Sequence, residues 1–194
     1  GILIVGACIT IYAMAAARRL SCKQLEFRDP KLTRKYRLVQ ISDVHIGSRS
    51  VGFLRYVVET INTQNPDLIV ITGDFLDAKR VQAEDIAPLK NLKAPVYFSI
   101  GNHERYAGLD WVIPLLEDAG VVVLRSQTVK VGELQLIGID DAEDKNQVRR
   151  EVAKIELDPE CFKILLYHRP LGWESAVASG INLMLSGHTH NGQI

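Results

Sequence analysis

Five short apolar runs in this chain have the composition of buried strands. Each run is rich in β-branched or other aliphatic residues and is bounded by turn-forming residues, as expected for strands that are buried on both faces. The runs are YRLVQIS (36–42), DLIVIT (67–72), PVYFSI (95–100), FKILLY (162–167) and INLMLS (181–186). The pattern predicts a sheet-containing domain that begins near residue 36.

Three amphipathic stretches separate or follow the first three runs and carry apolar side chains at helical spacing. They are 52–64, 81–92 and 108–120. The middle of the chain differs, because Gly132 stands between two alternating runs within 121–140 and predicts an antiparallel hairpin. A helix around 146–155 is expected to lead to the last two strands. We expect an α/β fold with either one mixed sheet or two sheets packed face to face between helices.

The first 17 residues, GILIVGACITIYAMAAA, carry no charge. At about 1.5 Å per residue they would span roughly 25 Å of a hydrocarbon core that is about 30 Å thick. We interpret residues 1–17 as a partial transmembrane helix whose upstream part is missing. A buried core helix and the apolar region of a signal peptide are the alternatives.

Residues 18–35 are strongly basic, and we interpret them as a juxtamembrane linker. Such a segment favours the cytoplasmic face of the cell membrane and an anionic lipid surface, although a solvated linker would have a similar composition. The whole chain is balanced, with 23 Lys and Arg against 23 Asp and Glu, and we see no basic stripe within the body of the chain. This balance argues against a nucleic-acid partner.

All the histidines of the chain follow predicted strands, and acidic or amide residues accompany them. The set comprises Asp43, His45, Asp74, Asp77, Asn102, His103, His168, His188 and His190. The carboxyl ends of strands in an open α/β sheet share one edge, so we expect these side chains to form one site. Taken singly, a histidine is more often a satisfied core residue, and an aspartate after a strand is often a helix cap.

The donor types in this set indicate a metal site. Two members of a pair such as Asp43 and His45, or His188 and His190, would point the same way on an extended backbone. Carboxylates, an amide oxygen and imidazoles without a thiolate suit Mn²⁺, Fe²⁺ or Zn²⁺. About seven ligands exceed the needs of one tetrahedral ion, which predicts two divalent metal ions.

The motifs DVH, GD, GNHE, a lone histidine after a strand and GHTH, in this order, resemble those of the calcineurin-like metallophosphoesterase family. The resemblance covers residues 36–194 and implies a pair of mixed β-sheets sandwiched between helices, with two metals at the strand ends. We expect the strands that would follow in this domain to be missing, so that it is truncated at the C-terminus. The basic N-terminal stretch and the closing SGHTHNGQ resemble the membrane-associated bacterial branch.

The resemblance also implies a role for each site residue. Asp43, His45 and His190 would hold one metal, Asn102, His168 and His188 the other, and Asp74 would bridge them. His103 would be a proton donor oriented by Asp77, for which a salt bridge or a loop cap is an equal alternative. Ala78 stands where serine/threonine protein phosphatases have arginine, which argues against that class.

The function that the resemblance implies is hydrolysis of a phosphate mono- or diester by a metal-bridging hydroxide. The N-terminal segment makes a lipid-linked or envelope substrate attractive beside a phosphorylated small molecule. Residues 140–151 could form part of one wall of the site. The alternative function is a metal-binding scaffold or regulatory module without turnover.

Overall fold

The structure is a computed structural model that describes residues 20–77 and 81–190. The predicted transmembrane segment, residues 1–17, lies outside these ranges. Within the described ranges no helix has the length and apolar character needed to cross a membrane. Residues 20–35, most of the predicted linker, form no helix or strand.

The strands of the described residues form two four-stranded sheets. The first contains β1 (Leu38–Ile41), β2 (Leu68–Thr72), β3 (Val96–Ser99) and β4 (Val121–Val123), all parallel and in that order. The second contains β5 (Gln127–Val131), β6 (Leu134–Gly138), β7 (Phe162–Leu166) and β8 (Leu183–Leu185). In this sheet β5 and β6 are antiparallel, whereas β6, β7 and β8 run parallel.

The helices connect the parallel strands. They are α1 (Val51–Thr63), α2 (Ala83–Ile86) with a 3₁₀ helix (Ala87–Asn91), α3 (Asn102–Ala107), α4 (Leu109–Asp118), α5 (Gln147–Val152) and α6 (Trp173–Ala178). The side chain of Ser50 caps α1 by accepting a hydrogen bond from the backbone N–H of Phe53 at 3.3 Å. Gly108, with φ +104°, separates α3 from α4.

The alternation of side chains along β2 explains the layered packing. Ile69 and Ile71 pack among the helices that cover the first sheet, whereas Leu68 and Val70 face the second sheet. A third apolar cluster, which includes Ile137 and Leu165, lies beneath α5 and α6. Because both faces of the central strands are buried, their sequences are unbroken apolar runs. The order of layers is helix, sheet, sheet, helix.

The predicted α/β class with two sheets between helices is confirmed, and all five predicted strands are present. The segment 121–140 contains three strands and not only the two strands of the predicted hairpin. The hairpin is β5 and β6, turning at Gly132 with φ +60°, while β4 belongs to the other sheet. The helix α3, which begins at Asn102, was not predicted.

The carboxyl ends of the parallel strands in both sheets meet along one edge of the sandwich. Gln40 Nε2 donates to Thr72 Oγ1 within the first sheet and to the backbone oxygen of Ser186 beyond β8, both at 2.9 Å. This side chain joins the two sheets where their polar loops begin. The loops that carry the predicted site residues therefore share one surface.

Candidate active site

The loops at this edge hold five of the predicted site residues in the left-handed region of backbone conformation. They are Asp43 (φ +55°), His45 (φ +53°), Asp74 (φ +51°), His188 (φ +70°) and His190 (φ +49°). This conformation costs a non-glycine residue about 1–3 kcal/mol and is concentrated at functional sites. The expectation that the Asp43–His45 and His188–His190 pairs lie on extended backbone is wrong. The turned backbone sends His188 and His190 into different clusters.

Glycines allow these loops to approach one another closely. A Cβ atom on Gly73 would lie 2.7 Å from Nδ1 of His168 and 2.7 Å from Cα of Gly101. A Cβ atom on Gly101 would overlap the carboxylate of Asp74. The absence of side chains at these two positions is what brings the GD and GNHE loops into contact.

Asp43, His45 and His190 form the first cluster of possible metal-binding groups. The Nε2 atoms of His45 and His190 are 3.3 Å apart, and His190 Nε2 lies 3.6 Å from Asp43 Oδ1. His45 Nδ1 donates to Asp77 Oδ1 at 2.9 Å, which directs the lone pair of Nε2 toward the cluster. Two imidazole nitrogens and a carboxylate thus converge on one small volume.

Asp74, His168 and His188 form the second cluster, with Asn102 beside it. His168 is fully buried, and its Nδ1 donates to the backbone oxygen of Thr72 at 2.8 Å. Its Nε2 lies 3.1 Å from each of three other atoms, Asn102 Oδ1, His188 Nδ1 and Asp74 Oδ2. Two of these partners are oxygens that only accept hydrogen bonds, so a proton or a cation has to lie among them.

Electrostatics in the second cluster follow from burial and from Asp74. Burial favours the neutral form of His168, but the carboxylate of Asp74 outweighs it and raises the pKa of His168 above its ordinary value. Burial likewise opposes ionisation of Asp74, yet its hydrogen bonds with His168 and with the backbone of His103 lower its pKa overall. The pKa of His188 is lowered by burial and by the positive charges of His168 and Arg169. Asp74 is therefore held as a carboxylate.

One contact joins the two clusters, and another links Asp74 of the second cluster to His103. The backbone N–H of His188 donates to both carboxylate oxygens of Asp43 at 3.1 Å. The carboxylate of Asp74 accepts from the backbone N–H of His103 at 2.9 Å, and its Oδ2 lies 3.9 Å from His103 Nε2. The predicted ligands therefore form two adjacent groups at one edge.

His103 and Asp77 lie on the open side of these groups. His103 Nδ1 is 2.5 Å from Asp77 Oδ1, and the same carboxylate accepts from His45 and from the hydroxyl of Ser48. Burial raises the pKa of Asp77, but the hydrogen bonds from Ser48 and His45 lower it overall. With Nδ1 held by Asp77, Nε2 of His103 is the nitrogen placed for proton transfer, on a side chain that is 34% exposed.

Glu104 organises the loops, although the sequence alone indicated no role for it. This side chain is fully buried and accepts backbone N–H groups from Asp74, Phe75, Leu76 and Gly101 at 2.8–3.0 Å. Burial raises its pKa, and these N–H groups oppose the rise. Its position three residues after the N-cap Gly101 is that of a capping-box acid, which is the sequence signal that could have identified it.

Comparisons with known proteins identify the family to which the chain is similar. The profile of the family described as calcineurin-like phosphoesterase matches residues 36–192. An uncharacterized metallophosphoesterase of Campylobacter jejuni is 30% identical over 99% of this chain and 54% of its own length. A protein of Bos taurus named transmembrane protein with metallophosphoesterase domain is 33% identical over 86% of this chain and 43% of its own length.

The solved structures that are similar to this chain include the phosphopantetheinyl hydrolase of Mycobacterium tuberculosis. Its TM-score is 0.48 and its sequence identity is 18%, and the match covers 73% of this chain and 71% of that one. The chain spans about half the length of most of the curated relatives it matches.

Proposed function

The chain belongs to the calcineurin-like phosphoesterase family, and we propose that it hydrolyses phosphate mono- or diesters with the help of two divalent ions. The observation that carries this proposal is the pair of adjacent donor clusters, with a histidine–aspartate pair on their open side. Members of the family generally use divalent metals, and the donors here are imidazole, carboxylate and amide groups. Mn, Fe and Zn are the ions that we propose.

The residues present fit such ions because their lone pairs already converge. Asp43, His45 and His190 would hold one ion, and Asn102, His168 and His188 would hold the other. Asp74, which is buried beside His168 and bonded to the backbone of the GNHE loop, would contact both. When bound, the ions would supply an activated water molecule and would withdraw charge from the phosphoryl oxygens.

Most of the proposed ligands are neutral side chains, and only a few carry a negative charge. Asp43 and Asp74 are the only carboxylates among the proposed ligands, while histidine and asparagine supply the rest. Such a site would keep a net positive charge after binding both ions, and this charge would attract a phosphate group. The hydrogen bonds that Nδ1 of His45 and Nδ1 of His168 donate leave Nε2 of each ring as the nitrogen that would face an ion.

His103 is the residue that we propose to protonate the leaving group. Its Nδ1 contacts the carboxylate of Asp77. The opposite ring nitrogen, Nε2, therefore points away from Asp77 and lies near Asp74. A carboxylate on one nitrogen fixes the orientation of the ring, so that the other nitrogen can act as a general acid. Asp77 also contacts His45, so one carboxylate positions both the proton donor and a proposed ligand.

We further propose that the chain belongs to the membrane-associated bacterial branch of the family and lies at the cytoplasmic face of the cell membrane. The support is the uncharged run at residues 1–17, the basic run at 18–35 and the similarity to the Bos taurus protein, which is named as a transmembrane protein. A lipid-linked or envelope substrate would suit this location, and a phosphorylated small molecule would suit the site equally. Nucleic acid is not an expected partner, because the charges of the chain are balanced.

Turnover and metal content together test this proposal against the alternative of a metal-binding scaffold. The purified chain is assayed with Mn²⁺ on bis(p-nitrophenyl) phosphate and p-nitrophenyl phosphate, next to an Asp74→Asn variant. We expect turnover by the wild type and loss of at least one ion in the variant. Metal binding without turnover would favour the scaffold, and two ions retained by the variant would contradict the bridging role of Asp74.

A further inference from the structure

A cleft of about 400 Å³ opens beside the second cluster, and Asn102 forms part of its wall. Arg105, Tyr106 and Arg169 line the same cleft. Asn102, Arg105 and Tyr106 belong to α3, the helix that also carries His103. The rings of His103 and Tyr106 are 6.0 Å apart between centroids. The group that His103 would protonate therefore lies next to this cleft.

Arg169 is fixed in the cleft by a buried carboxylate. Its Nε donates to Asp141 Oδ1 at 2.6 Å, and its Nη2 lies 3.3 Å from Asp141 Oδ2. Asp141 is 2% exposed, and the side chain of Arg169 is 15% exposed. A two-point contact of this kind sets the plane of the guanidinium group and limits its motion. The arginine is thus positioned before any ligand binds.

Arg105 is hydrogen-bonded to the same residue, but to its backbone and not to its carboxylate. Its Nη1 donates to the backbone oxygen of Asp141 at 2.5 Å, and a carbonyl group brings no counter-charge. The other acid of the cleft, Glu143, lies 3.4 Å from Nη2 of Arg169 and its side chain is 78% exposed. A bound anion can displace such an exposed carboxylate at small cost. The cleft therefore presents two guanidinium groups to an anion.

We propose that this cleft binds the leaving group and selects phosphoanhydrides, substrates in which the leaving group carries a second phosphoryl group. This inference rests on the proposed function. Guanidinium groups match phosphate oxygens in geometry and charge, and two of them lie next to the residues that surround the reacting phosphate. The ring of Tyr106, on a residue that is 68% exposed, offers a flat surface for the organic group beyond the second phosphate.

The reaction consumes one water molecule for each anhydride bond. The water oxygen bonds to the first phosphorus atom, and the bond from this atom to the bridging oxygen breaks. The bridging oxygen leaves with the bonding electron pair as part of the second phosphate, which gains negative charge. Two phosphomonoesters form, and the protons of the water pass to solvent or to the products. Because charge develops on the leaving phosphate, Arg105 and Arg169 would stabilise the transition state more than the ground state.

The test compares two substrates in the presence of Mn²⁺. P¹,P²-diadenosine diphosphate has a phosphorylated leaving group, whereas bis(p-nitrophenyl) phosphate has none. We expect Arg105→Gln to lower the ratio of the two kcat/KM values, diphosphate over diester, at least about tenfold, the size of one lost charged hydrogen bond. Arg105→Lys should restore part of the ratio. The control is Arg37→Gln, which removes an arginine that donates to the backbone oxygen of Gln64 at the opposite edge, and it should leave both values unchanged.

A second variant tests Arg169 without removing the positive charge that pairs with the buried Asp141. Arg169→Lys keeps a positive charge for the buried Asp141 but loses the planar donor, so the same ratio should fall. A wild type that hydrolyses the diester but not the diphosphate, or variants with an unchanged ratio, would overturn the inference and leave the proposed function intact. A wild type that hydrolyses p-nitrophenyl phosphate but neither of these substrates would also overturn the inference alone. A wild type that hydrolyses none of the three would overturn the proposed function itself.

Discussion

Replacing His103 by alanine separates proton donation from metal binding. The substitution removes the imidazole, which is bonded to Asp77 at 2.5 Å, but keeps the backbone N–H that donates to Asp74 at 2.9 Å. Asp74 should therefore stay in place, and the metal content should not change. The side chain is 34% exposed, so its loss should cost little stability. General acid catalysis contributes about 10²- to 10⁴-fold, or about 2.7–5.4 kcal/mol, and this is the expected loss for an alkoxide leaving group.

The assay uses pairs of esters that share the phosphoryl group and differ in the leaving group, p-nitrophenol in one and a simple alcohol in the other. The p-nitrophenolate ion is stable without a proton, so its release should slow less than about tenfold, within the range expected when little proton transfer is needed. Asp77→Asn should show the same selectivity to a smaller degree. Equal losses for both leaving groups at full metal content would refute the assignment of His103 as proton donor.

Three further predictions concern the framework of the site and the stability of the fold. Glu104→Gln places an amide N–H group against backbone donors and should lower the free energy of unfolding by about 3 kcal/mol in urea titrations, whereas the exposed Glu59→Gln should have little effect. Gly101→Ala should lower turnover more than about tenfold because its Cβ overlaps Asp74, while Gly52→Ala, whose nearest atom is 3.7 Å away, should stabilise α1 by about 0.5–1 kcal/mol. A hydrogen bond from a neighbouring lysine lowers the pKa of Asp158 from 3.8 to about 2, so its stabilising effect is present above pH 3.8 and is lost as the pH falls through 2. The stability difference between the wild type and Asp158→Asn should accordingly shrink over that pH range, and a constant difference would show that the carboxylate does not titrate in this way.

The strands could be predicted because the central ones are buried on both faces. Residues 68–72 pack on helices on one side and on the second sheet on the other, which requires the unbroken apolar run seen in the sequence. The short strand 121–123 could not be separated from the hairpin, because an apolar run does not say which sheet it joins. The helix α3 was missed because its six residues, NHERYA, contain two apolar side chains and show no helical period.

The convergence of the site could also be predicted, since it follows from the placement of polar residues after parallel strands. The left-handed backbone at Asp43, His45 and His190 could not, because non-glycine residues rarely adopt positive φ and nothing in their side chains requires it. The double contact of Asp77 with His45 and His103 depends on the fold of the loops in three dimensions. The sequence contains the chemical groups, whereas their mutual orientation depends on the packing of the loops.

We propose that two divalent ions and the loops at this edge together hydrolyse phosphate esters. The most direct measurement is the metal content of the purified chain beside its turnover of bis(p-nitrophenyl) phosphate and p-nitrophenyl phosphate, before and after treatment with a chelator and reloading with Mn²⁺. We predict two ions per chain, no turnover after chelation and recovery on reloading. Turnover that survives removal of all metal, or a fully loaded chain that hydrolyses neither ester, would contradict the account.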